Sequence, residues 1–227
     1  MPLASATPRL VLYGPKAAPY VIKVERALRW KKLPFEAVEP TSREDFRRWS
    51  PVTGLLPVLA IGDERVHDSS KILDALDRRF PEPALLSSDP RVARDQRRLE
   101  SWLTETFDFY ILRWVRARFP DRRGDADAPQ GSFSSLGLIG DDGHVLETVF
   151  DTRDGGPGPE FERRLDDLVA FLGERPYFFS DRPSRADIAV FAAVHGMATD
   201  LYAGGRDLLE RRPRLLAHFD RVDRATR

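Results

Sequence analysis

Short apolar runs and helix-spaced apolar positions alternate through the first third of the chain. Arg9 to Tyr13 reads as an apolar strand that Gly14-Pro15 breaks. A helix follows from Pro19, a residue suited to a first helical turn, with Val21, Val24, Ala27 and Leu28 at helical spacing. Lys32-Leu33-Pro34 ends it, and Phe35 to Val38 is a second strand. Thr41 to Trp49 forms a short helix carrying Phe46, started by Thr41 or Ser42. Leu55-Leu56 then runs into Pro57, Val58, Leu59 and Ile61, and Gly62-Asp63-Glu64 is a turn between two strands. A proline before such a strand turns the chain, and a cis Leu56-Pro57 bond is one way to do so. His67-Asp68-Ser69-Ser70 precedes Ile72 and Leu73, the pattern of a helix N-cap. Strands interleaved with helices predict an α/β layer structure.

From Phe80-Pro81-Glu82-Pro83 onward the pattern changes to helices alone. The reading gives a first domain over 1–83, a linker over 84–89 and an all-helical domain over 90–227. A long helix from Arg91 to about Phe119 puts Leu99, Leu103, Phe107, Tyr110 and Trp114 on one face. Helix packing accounts for most of them; Phe107, Tyr110 and Trp114 could instead line an apolar site. An irregular insertion at about 120–159 contains the turn Gly140-Asp141-Asp142-Gly143, and its flanks Leu136–Ile139 and Val145-Leu146 predict a small hairpin. Its acidic residues read as solvated. Helical spacing resumes over Glu160–Leu172. Ser184-Arg185-Ala186-Asp187 has the form of a capping box, and the helix it opens, Ile188 to about Thr199, is apolar nearly all round. Pro213 can open a terminal helix with Leu215, Leu216, Phe219 and Val222.

Composition narrows the function. Lys plus Arg and Asp plus Glu number 36 each, which argues against a general nucleic-acid or anionic-membrane binder. With 41% hydrophobic residues the chain can build a sizeable core, and no apolar run approaches a membrane span. Residues 1–7 lack the pattern of a secretory signal, so a soluble cytoplasmic protein is expected. There is no cysteine, which removes disulfides, thiolate nucleophiles and thiol redox chemistry. The histidines 67, 144, 195 and 218 are dispersed without metal-ligand spacing, so no metal site is expected.

One stretch suggests chemistry directly. A helix opening at Asp68-Ser69 offers unpaired N–H groups to an anion, and the Asp68 carboxylate could pair with an ammonium beside it. That combination suits an amino-acid-like head group. The plain alternative is a solvated N-cap after a hairpin.

Several segments resemble the cytosolic glutathione S-transferases. Leu12-Tyr13-Gly14 with Pro19-Tyr20-Val21 and Lys23-Val24 is similar to that family's first strand and helix. Ser50-Pro51, Gly54 and Leu56-Pro57-Val58-Leu59 resemble its cis-proline segment, and Asp68-Ser69-Ser70 with Ile72-Leu73 its γ-glutamyl motif. The capping motif at Ser184 and its helix resemble the family's C-terminal domain. The resemblance implies a thioredoxin-like α/β domain followed by an all-α domain, glutathione as co-substrate, an apolar small molecule as the second ligand, and a homodimer. It implies that Asp68 pairs with the γ-glutamyl ammonium, Ser69 binds the carboxylate, the backbone of Leu56 before Pro57 meets the cysteinyl unit, and Phe107, Tyr110 and Trp114 line the electrophile pocket.

The chain departs from the family pattern at two positions. Where many members carry a catalytic Ser or Cys before the Pro-aromatic pair, this chain has Ala18, and Leu55 stands where a polar or basic residue is common. Tyr13 is the replacement candidate for stabilising the thiolate, with Lys16 as a nearby cation. Two functions follow: conjugation of glutathione to an apolar electrophile, or non-catalytic binding on the same fold, which Ala18 favours. A disulfide oxidoreductase or dehydroascorbate-reductase role is disfavoured by the absence of cysteine.

Overall fold

The computed structural model describes residues 8–118, 139–144, 158–199 and 204–227. Strand β1 (Leu10–Tyr13), helix α1 (Pro19–Trp30) and strand β2 (Glu36–Val38) form a parallel β-α-β unit. Helix α2 (Glu44–Trp49) leads to the hairpin β3 (Val58–Ile61) and β4 (Glu64–His67), and α3 (Ser69–Arg79) closes the first layer. The sheet order is β2-β1-β3-β4, with β3 antiparallel to both of its neighbours. In this register Leu10 lies opposite Ile61, and Leu12 opposite Leu59. Those side chains share one face of the sheet, where they pack with Val21, Val24 and Leu28 of α1 and Ile72, Leu73 and Leu76 of α3. The Leu56-Pro57 peptide is cis, as is Glu82-Pro83.

The second layer is helical: α4 (Pro90–Arg118), α5 (Pro159–Leu172), α6 (Arg185–Ala198), α7 (Gly205–Glu210) and α8 (Pro213–Ala225). Helix α6 is buried on nearly every side and packs against α1, α4, α7 and α8. Ile188 at its start joins the core of the α/β layer, so one helix belongs to both layers. Its capping box is present, and the Asp187 carboxylate is fully used. Oδ2 accepts from the Ser184 amide and hydroxyl at 2.8 and 2.6 Å, while Oδ1 accepts from the Phe178 amide at 2.8 Å and pairs with His218 Nε2 at 2.9 Å. The thioredoxin-like sheet followed by a helical layer is the architecture the sequence predicts.

Local differences have local causes. Helix α2 spans Glu44–Trp49, starting beyond Thr41 and Ser42, and Asp45 Oδ2 reaches back to accept from the Thr41 amide at 2.9 Å and hydroxyl at 3.1 Å. Helix α7 has no apolar period long enough to predict; it is held by Leu208 and Leu209 in the helical core. The turn at 140–143 is present, closed by Gly143 N–H to Gly140 C=O at 3.0 Å. Of the predicted hairpin, Leu136, Gly137, Leu138, Val145 and Leu146 lie outside the described residues. Among the described residues no helix is long and apolar enough to cross a membrane.

Candidate functional site

The candidate site gathers around the start of α1, the cis-proline turn and the start of α3. Strand β1 is followed by Gly14, where an added Cβ would lie 2.5 Å from Val21 Cγ2, so the strand-to-helix turn leaves no room for a side chain there. The Ala18 amide donates to Pro15 C=O at 2.9 Å, and Ala18 is the N-cap of α1 without a side-chain cap. Its methyl group is half-buried between the two apolar cores. The position associated with a hydroxyl or thiol is therefore an apolar contact at a helix N-terminus.

Tyr13 does not join it. Alternating with Leu12, it presents its ring to the opposite face of the sheet. There it meets Trp49 of α2, with ring centroids 5.0 Å apart, beneath the Arg65 guanidinium at 5.6 Å. Lys16 is exposed, and its amide donates to Glu39 Oε2 at 3.2 Å. A cavity of about 680 Å³ between α1 and β2 is lined by Leu12, Val21, Leu33 and Phe35 with Lys16 and Lys32; it touches none of Leu56, Pro57, Asp68 and Ser69.

The cis-proline turn is braced from behind. The Ser50 hydroxyl, 1% exposed, lies 2.8 Å from Thr53 Oγ1 and 3.3 Å from His67 Nδ1, and Thr53 Oγ1 accepts from the Leu55 amide at 3.2 Å. Pro57 is buried and Leu56 half-buried, and among the described residues neither the N–H nor the C=O of Leu56 has a backbone partner. Leu55 is exposed.

Asp68 sits at φ +72° and caps α3, its Oδ1 accepting from the amides of Ser70 at 2.9 Å and Lys71 at 3.0 Å. The plain N-cap reading is thus present, and it uses one oxygen. Among the described residues Oδ2 of this exposed carboxylate carries no hydrogen bond, nor does the hydroxyl of Ser69, which is 7% exposed.

Below that turn lies a buried charge cluster that periodicity did not flag. Glu100 of α4 accepts from Lys23 Nζ of α1 at 2.9 Å, from Ser70 Oγ at 2.7 Å and from Arg185 Nε of α6. Arg185 also bonds Asp74 of α3 and donates to Ser70 C=O at 3.3 Å, and Arg97 reaches the same Asp74 oxygen at 2.7 Å. Burial pushes the Glu100 carboxyl up, but attraction from Lys23 and Arg185 and their hydrogen bonds together carry it below the ordinary glutamate value. Asp74 is likewise held low against its own burial, by Arg185 and Arg97. The first turn of α3 is therefore pinned from three other helices. The sequence signal was a charge inside each apolar stripe: Lys23 among Val21, Ile22 and Val24, and Glu100 beside Leu99.

On α4, Phe107 is 3% exposed and packs edge-on against Trp102 and Phe161, so it is a core residue. Tyr110 is half-buried at the border of that core, 6.5 Å from Phe161. The Trp114 side chain lies outside the described residues. Among the described residues no cluster of His, Asp or Glu could hold a metal.

Known proteins share this fold. The family profiles for the glutathione S-transferase N-terminal and C-terminal domains match residues 12–84 and 159–221. A glutathione S-transferase of Methylobacterium radiotolerans, solved with glutathione sulfonate, superposes at a TM-score of 0.64 with 26% identity, covering 95% of this chain and 90% of that one. The β-etherase LigF of Sphingobium shares the fold at a TM-score of 0.68, with 21% identity over 94% of each chain. Failed axon connections of Drosophila melanogaster is 26% identical over an alignment of 249 residues, and glutathione S-transferase U9 of Arabidopsis thaliana 29% over 86. These alignments cover 96% and 36% of this chain, which spans 55% and 36% of the length of the two curated relatives. With both domain profiles of one family matched in order on a sheet-plus-helices fold, the chain belongs to the glutathione S-transferase family.

Proposed function

We propose that the protein binds glutathione and conjugates its thiolate to an apolar electrophile. One observation carries this reading: at the start of α3, the Ser69 hydroxyl and one Asp68 oxygen have no hydrogen-bond partner among the described residues, on a turn pinned by buried charges. In this reading Asp68 Oδ2 takes the γ-glutamyl ammonium, Ser69 takes the carboxylate, and the backbone of Leu56 before Pro57 pairs with the cysteinyl unit. The crystal form of the Methylobacterium relative with glutathione sulfonate supports the ligand class. The sulfur would then lie at the N-terminus of α1, whose positive dipole end favours a thiolate. In this reading Tyr13, whose ring packs against Trp49, is not assigned as its donor. Tyr110 and Trp114 are the proposed electrophile contacts, with Phe107 supporting them from the core. The working unit is a cytoplasmic homodimer joined through α4; sedimentation at micromolar concentration should show twice the 25.8 kDa chain mass.

Ala18 supports a second reading, a glutathione-binding protein without transferase activity, because a methyl group donates no hydrogen bond to the sulfur. Calorimetry with glutathione and turnover of an electrophile panel separate the two. Binding with turnover supports conjugation, binding without turnover supports the second reading, and no binding overturns both.

A further inference from the structure

The segment before Pro57 and the turn at Asp68 come from different parts of the chain, and one buried hydroxyl bonds to both. Ser50 ends α2: its amide donates to Phe46 C=O at 2.9 Å, and its own C=O accepts from the Gly54 amide at 2.7 Å. Gly54 sits at φ +61°, where a side chain would be strained, so the chain reverses there toward Leu55 and Leu56. Helix α2 is itself anchored by Phe46 and Trp49, both buried. From this anchored position the Ser50 hydroxyl reaches Thr53 Oγ1 at 2.8 Å, the atom that accepts from the Leu55 amide, and His67 Nδ1 at 3.3 Å.

His67 is the last residue of β4. It lies opposite Val58 in the hairpin and is followed directly by Asp68, the cap of α3. The Ser50–His67 hydrogen bond therefore ties the residues leading into Pro57 to the residue that carries the Asp68–Ser69 turn. The tie holds in either proton arrangement. With Nδ1 as acceptor, Ser50 donates to His67 and Thr53 donates to Ser50. With Nδ1–H as donor, His67 donates to Ser50 and Ser50 donates to Thr53. In both, the Thr53 oxygen keeps a lone pair for the Leu55 amide. Leu55 brings no polar side chain, so a ligand contact at this turn falls to the backbone, and the backbone's placement is what the brace controls.

We propose that Ser50 and His67 are positioning residues, which hold the Leu56 backbone in register with the Asp68–Ser69 turn so that one extended ligand meets both. The positioning role rests on the glutathione reading above; the brace does not. A γ-glutamyl group alone needs only the Asp68–Ser69 turn, whereas glutathione needs both, so loss of register weakens the longer ligand and spares the shorter. The test compares glutathione, by calorimetry, with γ-glutamylethylamide, which lacks the cysteinyl and glycyl units, by ligand-observed NMR. Ser50→Ala and His67→Phe should each weaken glutathione by about 2- to 10-fold, the span of one neutral hydrogen bond, and leave γ-glutamylethylamide unchanged. His67→Asn, whose side-chain amide can supply a hydrogen-bonding atom in place of Nδ1, should keep wild-type affinity. Equal losses for the two ligands overturn the positioning role, as does unchanged glutathione affinity in His67→Phe, or a loss in His67→Asn as large as that in His67→Phe. Hydrogen exchange reads the brace without ligand: the Leu55 amide should exchange faster in Ser50→Ala than in wild type, and faster in Thr53→Val, a change at an exposed position that leaves the core intact. Equal exchange in all three proteins overturns the brace. If the wild type binds no glutathione, the glutathione reading fails and the positioning role with it, and exchange alone decides the brace.

Discussion

Replacing Glu100 with Gln removes the carboxylate that Lys23 and Arg185 share while keeping shape and volume. In the wild type, Glu100 and Lys23 are each 3% exposed, Arg185 is 2% exposed, and Lys23 lies 2.9 Å from Glu100. Removing one partner from such a buried pair costs about 3–5 kcal/mol, chiefly because a cation stays behind unpaired. Arg185 keeps Asp74 and the Ser70 carbonyl, whereas among the described residues Lys23 keeps the Ser70 hydroxyl at 3.3 Å and the Tyr20 ring at 5.6 Å. Most of the loss therefore falls on Lys23, and the expected cost lies near the lower end, about 3 kcal/mol. For a chain of this size that is a drop in Tm of roughly 6–12 °C. The assay is thermal and urea unfolding of wild type, Glu100→Gln, Lys23→Met and the double variant. The double variant should lose less than the two single losses added together, since it leaves no unpaired lysine. A Glu100→Gln loss below about 1 kcal/mol, the range of an exposed pair, would refute the reasoning. The pH dependence has a definite sign. Glu100 and Asp74 are both held below their ordinary values, so their contribution is fully present above the unfolded carboxylate range and is lost as pH falls through the lower folded values. Glu100→Gln should flatten the acid limb of the stability curve.

Four further outcomes are expected. Ser69→Ala should weaken glutathione binding by about 1–3 kcal/mol in calorimetry, because a charged acceptor loses a donor; unchanged affinity removes Ser69 from the site. Ala18→Ser should lower the thiol pKa of bound glutathione, read by ultraviolet titration, by about one unit or more, since a hydrogen bond to a charged partner is worth roughly 1.5–3 kcal/mol. Tyr13→Phe should leave that pKa where it was, and a loss of thiolate in this variant would restore Tyr13 to the site. Asp187→Ala should destabilise by about 3 kcal/mol or more in urea unfolding, since it strips the acceptor from the buried Phe178 and Ser184 amides and from His218.

Much of the architecture was legible without coordinates, for a physical reason. Strand and helix periods, the breaks at Gly14-Pro15 and Gly62-Asp63, and the caps at Asp68 and Ser184 are local properties, fixed by neighbours within a few residues. The turn at Asp68 was legible on the same ground, since an N-cap and the oxygen it leaves without a partner among the described residues both belong to the segment around Asp68. Side-chain direction at a strand end was not. Tyr13 follows Leu12 in sequence, but which face each takes depends on which helices cover the sheet, and α2 brings Trp49 to the face of Tyr13. Phe107 and Tyr110 share a helical stripe, yet only the packing of α5 through Phe161 decides that the first is core and the second stands at its border. The Lys23–Glu100–Arg185 cluster draws on α1, α4 and α6, whose residues are 77 and 85 positions apart in its two bonds. Arg43 meets Ile139 across 96 positions. Sequence patterns report which face of an element is apolar. Which charges end up together on such a face is decided only when three elements meet there, because each charge is tolerated in the core solely by the others.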